Sequence, residues 1–469
     1  MALLSAWQLR AAFAQRMAVT YGREVPAYGT LVDVAAEVNA DVLARDGAAA
    51  ERLGSIARVT AERHGAIRVG TPAELHAVSR IFAALGMFPV GFYDLRDAAR
   101  SAVPVVSTAF RPVAAEELAR NPFRMFTSML VTDDRRFFAP DLQARLDTFL
   151  ARRTLFPPAL LRLAEQAIAD GGLAADDAER FLDLATSAFA LSTEPVDRAW
   201  YAELAAVSAV AADIGGVMST HINHLTPRVL DIDELYRRMS ERGIAMIEEI
   251  QGPPRWSGPD VLLRQTSFRA LAEQRRFREA DGSVTAGSLR VRFGEVEARG
   301  IALTPAGRDR YDAMVAEVDR RLATDPGPRR ADVAADVWRK RLPASELGLL
   351  REGLGFFTFA AGRAVDSSAR LSTEAGEELA RLVEAGALVA TPIVYEDFLP
   401  RSAAGIFQSN LTSAGRKDTA AEGSRRDAGW LSDVIGREVS DPARLYAAQQ
   451  QAALEDAVAR LGGALTSAE

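Results

Sequence analysis

The sequence has no cysteine and only four histidines, His64, His76, His221 and His224, in 469 residues. The first absence excludes disulfides, thiolate zinc, iron-sulfur clusters and a cysteine nucleophile, so any bound metal must sit on nitrogen and oxygen donors. Long apolar runs are missing too. No stretch reaches membrane-spanning length, and the opening Met1–Arg10 segment meets a charge too early for a secretory core. A cytoplasmic protein is expected, with a basic organellar presequence as the alternative that Arg10, Arg16 and Arg23 leave open. Neither sign of charge dominates: 56 basic against 63 acidic side chains, and no basic run interleaved with aromatics, argue against nucleic acid and for small-molecule partners. No Gly-x-Ser-x-Gly elbow surrounds Ser402, which argues against serine hydrolysis.

What is present is a particular order of elements. Residues 1 to about 60 have helical apolar spacing, and the first strand signal follows His64, in Gly65–Val69. Thr71–Glu74 predicts a capped helix start whose buried face is Leu75, Val78, Ile81 and Phe82, stopped by Gly86. Extended pieces at Phe88–Leu95, Val105–Phe110 and Met125–Val131 complete a βαβββ order within 60–132. Helical periodicity returns over 133–213. From His221 the first order recurs within 220–304: strand His221–Pro227, helix Ile232–Arg242, then strands near Ile244–Ile250, Val261–Ala270 and Ser288–Glu297. The expectation is a single α+β unit: a duplicated βαβββ core with a helical insertion and a C-terminal extension, 305–469. In that extension Leu411–Arg426 reads as a loop or lid, and Pro442–Leu461 as a terminal helix.

Scarcity makes the histidines informative. His64 and His224 lie on the first strand of each half, so pairing the halves would bring both imidazoles to one centre. Glu295, in Phe293–Arg299 on the last strand of the second half, would supply a carboxylate. Two histidines and one carboxylate leave open positions and suit non-haem Fe(II), with zinc and manganese open on ligand type alone. His221 and His224 are three apart, so on a strand they face opposite sides and one of them is a supporting group. Glu295 and Glu297 share a face, and Glu297 is either a ligand or a partner of Arg299 or Arg292. His76 reads as structural. Arg68, four residues after His64 on the same face, is placed to grip an anionic substrate, or else pairs with a local acid. Arg228 has the same spacing from His224 and the same ambiguity. In Thr391–Asn410, Ser402 and nearby amides are candidates for a substrate carboxylate.

Five blocks in order carry a resemblance: His64–Arg68, Gly86–Leu95, His221–Arg228, Phe293–Gly300 with Ala302–Thr304, and Tyr395–Asn410. Together they resemble the 2-oxoadipate dioxygenase/decarboxylases of the vicinal oxygen chelate superfamily. The resemblance implies Fe(II) held by His64, His224 and Glu295, with Arg68 and the Ser402 region on the substrate. It implies an aliphatic residue where Arg401 stands, so Arg401 would alter contacts near the distal carboxylate. The implied reaction joins dioxygen to 2-oxoadipate, releases carbon dioxide and leaves 2-hydroxyglutarate, a step of lysine breakdown. Glyoxalase-like zinc or manganese lyase chemistry, and metal or ligand binding without turnover, are the other readings.

Overall fold

The apolar alternation after His64 becomes strand β1 (Arg63–Val69), and the capped helix after it is Pro72–Ala84. Thr71 Oγ1 accepts from the Glu74 amide at 3.2 Å while the Glu74 carboxylate accepts from the Thr71 amide at 3.2 Å, so two orphan donors are satisfied reciprocally. Leu75, Val78, Ile81 and Phe82 are all buried, each contributing about 1.5–3 kcal/mol. Gly86, at φ 66°, stops the helix in the left-handed region that a Cβ disfavours.

Strands β2 (Phe88–Asp94), β3 (Val105–Arg111) and β4 (Arg124–Leu130) then return against β1. Further on come β5 (Val196–Asp197) and β6 (Ile222–Pro227), giving a five-stranded sheet in the order β2-β3-β4-β1-β6. β1 lies parallel to β4 and antiparallel to β6. The computed structural model describes residues 3–97, 103–290, 292–362, 371–372, 376–410, 415, 417–418, 420–461 and 465–466. Part of the Leu411–Arg426 stretch, expected as a loop or lid, lies outside them.

The second half departs from the expected copy. It contains β7 (Leu263–Ser267), β8 (Glu273–Arg278), β9 (Val284–Leu289) and β10 (Glu295–Arg299). β10 pairs with β7 as a separate ribbon and meets β6 through the single parallel bridge Arg228–Glu297. The predicted strand Ile244–Ile250 makes only an isolated bridge, from Met246 to Phe268; Glu248 and Glu249 within it are exposed, as on a solvated edge. The predicted strand Ser288–Glu297 is split between the end of β9 and the start of β10. β8 and β9 form a hairpin turning at Gly282 (φ 84°) that pairs with β5. The fold is therefore mixed α and β with small sheets, and the second half lacks a regular βαβββ sheet.

Five helices, from Pro140–Leu150 to Ala209–Gly215, occupy the predicted helical stretch. In the C-terminal part, helix Pro442–Arg460 packs on the ribbon Phe357–Ala361 with Leu388–Pro392, helix Pro400–Asn410 packs on β7, and the segment after β10 joins this part through the bridges Ile301–Val394 and Leu303–Gly355. Among the described residues no helix is long and apolar enough to cross a membrane.

Candidate metal centre

Register explains why two histidines 160 positions apart meet. Ala66 stands opposite His224 in the β1–β6 ladder, and side chains opposite one another share a face, so His64, two residues from Ala66, is the diagonal neighbour of His224. Their rings lie 5.4 Å apart, edge to face. Between β4 and β6 the residue after His64 must be small: a Cβ at Gly65 would sit 2.7 Å from Met125 Sδ and 3.0 Å from Ile222 Cδ1. Glu295 enters from β10, its Oε1 3.7 Å from His64 Nε2 and its Oε2 3.5 Å from His224 Nε2. One ligand atom from each of the three lies within 4.8 Å of the others, and all three residues are buried. Phe126, Gln265, Phe398 and Ile406 wall a cavity of about 20 Å³ there, room for an ion or a water.

The donor set fits a metal on its own evidence. Both ring nitrogens of His224 are buried and make no hydrogen bond among the described residues, a desolvation cost that a cation at the centre would offset. Burial, then the neighbouring His64 and Arg68, hold the His224 imidazolium well below the usual range, and burial likewise lowers His64 against the opposing pull of Glu297. Two neutral imidazoles result. Burial and then the Glu297 charge push Glu295 well above the ordinary carboxylate value. The Gln265 amide also donates to Glu295 Oε1.

Glu297 lies beside this centre. His64 Nδ1 is 2.9 Å from Glu297 Oε2, while Arg299 Nε and Nη2 each donate to the same carboxylate at 2.8 Å. Burial would raise Glu297, but Arg299 and His64 bring it down to about 2. The His64–Glu297 approach is an ion-pair contact without hydrogen-bond geometry; the negative charge beside Nδ1 favours the proton on that nitrogen, with Nε2 on the Glu295 side. The expected partnership with Arg299 forms, though in a fully buried site and not on a solvated strand.

The remaining candidates are spread more widely. His221, just before β6, points to Asp213 (3.5 Å) and Asn223 (3.2 Å), and burial lowers it to about 4. Arg68 is buried and forms an ion pair with Asp213, which also accepts from Asn223 at 3.0 Å. Arg228 is committed to Glu62 (2.9 Å) and the Leu53 carbonyl (2.7 Å). His76 Nδ1 contacts the Ile435 carbonyl at 3.0 Å. Ser402 and Arg401 are not brought into the cavity. They line a separate, larger cleft, where Arg401 is exposed and pairs with Asp319 at 3.2 Å. Sequence reasoning missed Gln265, Phe398 and the acids Glu62 and Glu396; the one available signal was that Glu396 and Phe398 lie inside the Thr391–Asn410 cluster.

The geometry defines a buried cluster of two histidines and one carboxylate, able to hold a metal ion, on a mixed α/β scaffold. The family model of the 2-oxoadipate dioxygenase/decarboxylases matches residues 13–410. A Mycobacterium tuberculosis protein named 2-oxoadipate dioxygenase/decarboxylase is 57% identical over 448 residues, 96% of this chain and 98% of that one. A Pseudomonas putida protein of the same name is 40% identical over 462 residues, 95% of each. The crystal structure of the hydroxyglutarate synthase from Pseudomonas putida in complex with 2-oxoadipate is similar at TM-score 0.82 and 37% identity, covering 98% of this chain and 99% of that one. The chain belongs to the 2-oxoadipate dioxygenase/decarboxylase family.

Proposed function

We propose that this chain is an Fe(II)-dependent dioxygenase that converts 2-oxoadipate and O2 to 2-hydroxyglutarate and CO2, within lysine breakdown. The observation that carries the reading is the convergence of His64, His224 and Glu295 on one buried point, with neither His224 nitrogen hydrogen-bonded among the described residues. Iron, when bound, would supply Lewis acidity toward the 2-oxo acid and the electrons that dioxygen needs. The chain's own groups do the rest. Glu297 keeps the His64 proton on Nδ1, and Gln265 orients Glu295. Phe126, Phe398 and Ile406 keep water from the reacting carbons.

Arg68, on the His64 face of β1, is assigned to the substrate's carboxylate, with Asp213 holding its guanidinium in place. Ser402 lies outside the cavity but one helical turn before its wall residue Ile406, and it is assigned to the distal carboxylate, which reaches it only once that wall has moved. A six-carbon diacid far exceeds a 20 Å³ cavity, so its entry requires the Phe398 and Ile406 walls to retreat. This reading is tested by loading the metal-free protein with Fe(II) without air and adding 2-oxoadipate in an oxygen electrode. Uptake matched one to one by CO2 and 2-hydroxyglutarate is expected. No uptake would sink the proposal, and oxygen-independent turnover with zinc or manganese would favour lyase chemistry.

A further inference from the structure

The strongest feature outside the ligand set is Arg299. It is 3% exposed, and its guanidinium faces two ways. Nε and Nη2 grip both oxygens of Glu297 at 2.8 Å, and Glu297 in turn holds His64. Nη1 donates to the Tyr395 carbonyl at 2.8 Å and to the Asp397 carbonyl at 3.1 Å, and the guanidinium carbon lies 5.6 Å from the centre of the Phe398 ring. Phe398 packs edge to face on His64 with centroids 4.9 Å apart and walls the cavity. One side chain thus ties the carboxylate behind a proposed metal ligand to the backbone that carries the cavity wall.

We propose that Arg299 is a positioning residue that couples metal affinity to the shape of the substrate side of the cavity. The inference rests on the proposed metal centre and goes beyond it. A lysine could not substitute. Four of Arg299's five N–H groups are used, in a planar fork spanning two directions, whereas an ammonium is a point donor of three. Glu62 Oε1, 3.3 Å from Arg299 Nε, and Arg124, which bridges Glu62 and Glu396 at 2.6 Å each, extend the tie to the residue next to Asp397. The Tyr395–Phe398 segment is therefore held from both sides by charge.

The test compares wild type, Arg299→Lys and Glu297→Gln. Metal affinity is read with Mn(II) by loss of the free-ion paramagnetic resonance signal, and 2-oxoadipate affinity by calorimetry on the Mn(II)-saturated proteins. Arg299→Lys is expected to weaken Mn(II) binding about 10- to 100-fold, the usual effect of losing a partner behind a ligand, and to weaken 2-oxoadipate binding to the saturated protein at least fivefold. Glu297→Gln, which removes the charge behind His64 at nearly unchanged side-chain size, should lose metal affinity while the saturated protein keeps its 2-oxoadipate affinity. Unchanged metal affinity in Arg299→Lys, or unchanged 2-oxoadipate affinity, overturns the coupling. If Arg299→Lys does not fold, Glu297→Gln decides: a tenfold metal loss without substrate loss supports the relay, and a metal affinity within twofold of wild type overturns it. A wild type that binds no metal would instead defeat the reading of the centre itself.

Discussion

Replacing His224 with leucine should stabilise the metal-free protein while abolishing its response to metal. The imidazole is buried against the His64 ring at 5.4 Å and the Phe293 ring at 5.3 Å, with the Glu295 carboxyl 3.5 Å from Nε2, and neither of its nitrogens makes a hydrogen bond among the described residues. A buried polar group left unsatisfied costs about 1–3 kcal/mol, and leucine of similar bulk removes that cost. Unfolding entropy of about 2.1 cal/mol/K per residue makes 1 kcal/mol worth roughly 1 °C in a chain of this length, so the metal-free variant should melt about 1–3 °C above wild type. A metal present at 100 times its dissociation constant adds about 2.7 kcal/mol to wild type, again near 3 °C, and nothing to the variant. Calorimetric scans with chelator and with excess Mn(II) read both quantities. If the metal-free variant melts below wild type, or gains as much from Mn(II), then His224 is not an unsatisfied ligand.

Arg68→Ala should raise the KM for 2-oxoadipate at least tenfold and leave iron content near wild type; equal loss of iron would make Arg68 structural. Acid should destabilise the metal-free protein through His221, whose value is about 4 in the fold against 6.5 ordinarily. Such a histidine is neutral when folded and takes up a proton on unfolding, so stability is lost as pH falls from 6.5 toward 4, roughly 2 kcal/mol of it by pH 5. Urea midpoints at pH 7 and 5 should therefore fall less in His221→Gln than in wild type, and parallel losses would refute the assignment. Gly294→Ala should be strongly destabilising, because a Cβ there would lie 2.0 Å from the Phe268 ring; a denaturation midpoint unchanged from wild type would refute the close approach.

The parts of this protein that were readable from its sequence are those set by neighbours in the chain. The Thr71–Glu74 capping box and the Leu75–Phe82 stripe act over a few residues, and the structure reproduces them. The meeting of His64, His224 and Glu295 was legible because only four histidines left few pairings open, although the imidazoles meet through the register of β1 on β6 in one sheet and not through the expected copy of a first half. Glu297 was ambiguous because its role depends on His64, 233 positions away, and on a salt bridge that spacing alone does not orient. Ser402 was a candidate from the polar Thr391–Asn410 run and Arg401 from the family resemblance, and neither signal shows that this turn of the helix faces the larger cleft, with Ser402 buried and Arg401 exposed. Gln265 and Glu62 gave no sequence signal, since their significance arises only where β10 meets β7 and where four arginines converge on one acid.

The most direct test of the central claim is to supply ¹⁸O2 to the Fe(II)-loaded protein with 2-oxoadipate and follow both labels by mass spectrometry. The account predicts both labelled atoms in 2-hydroxyglutarate, none in CO2, and no product from the His64→Ala, His224→Ala or Glu295→Ala proteins. Unlabelled product, or undiminished turnover in any of those three variants, would contradict it.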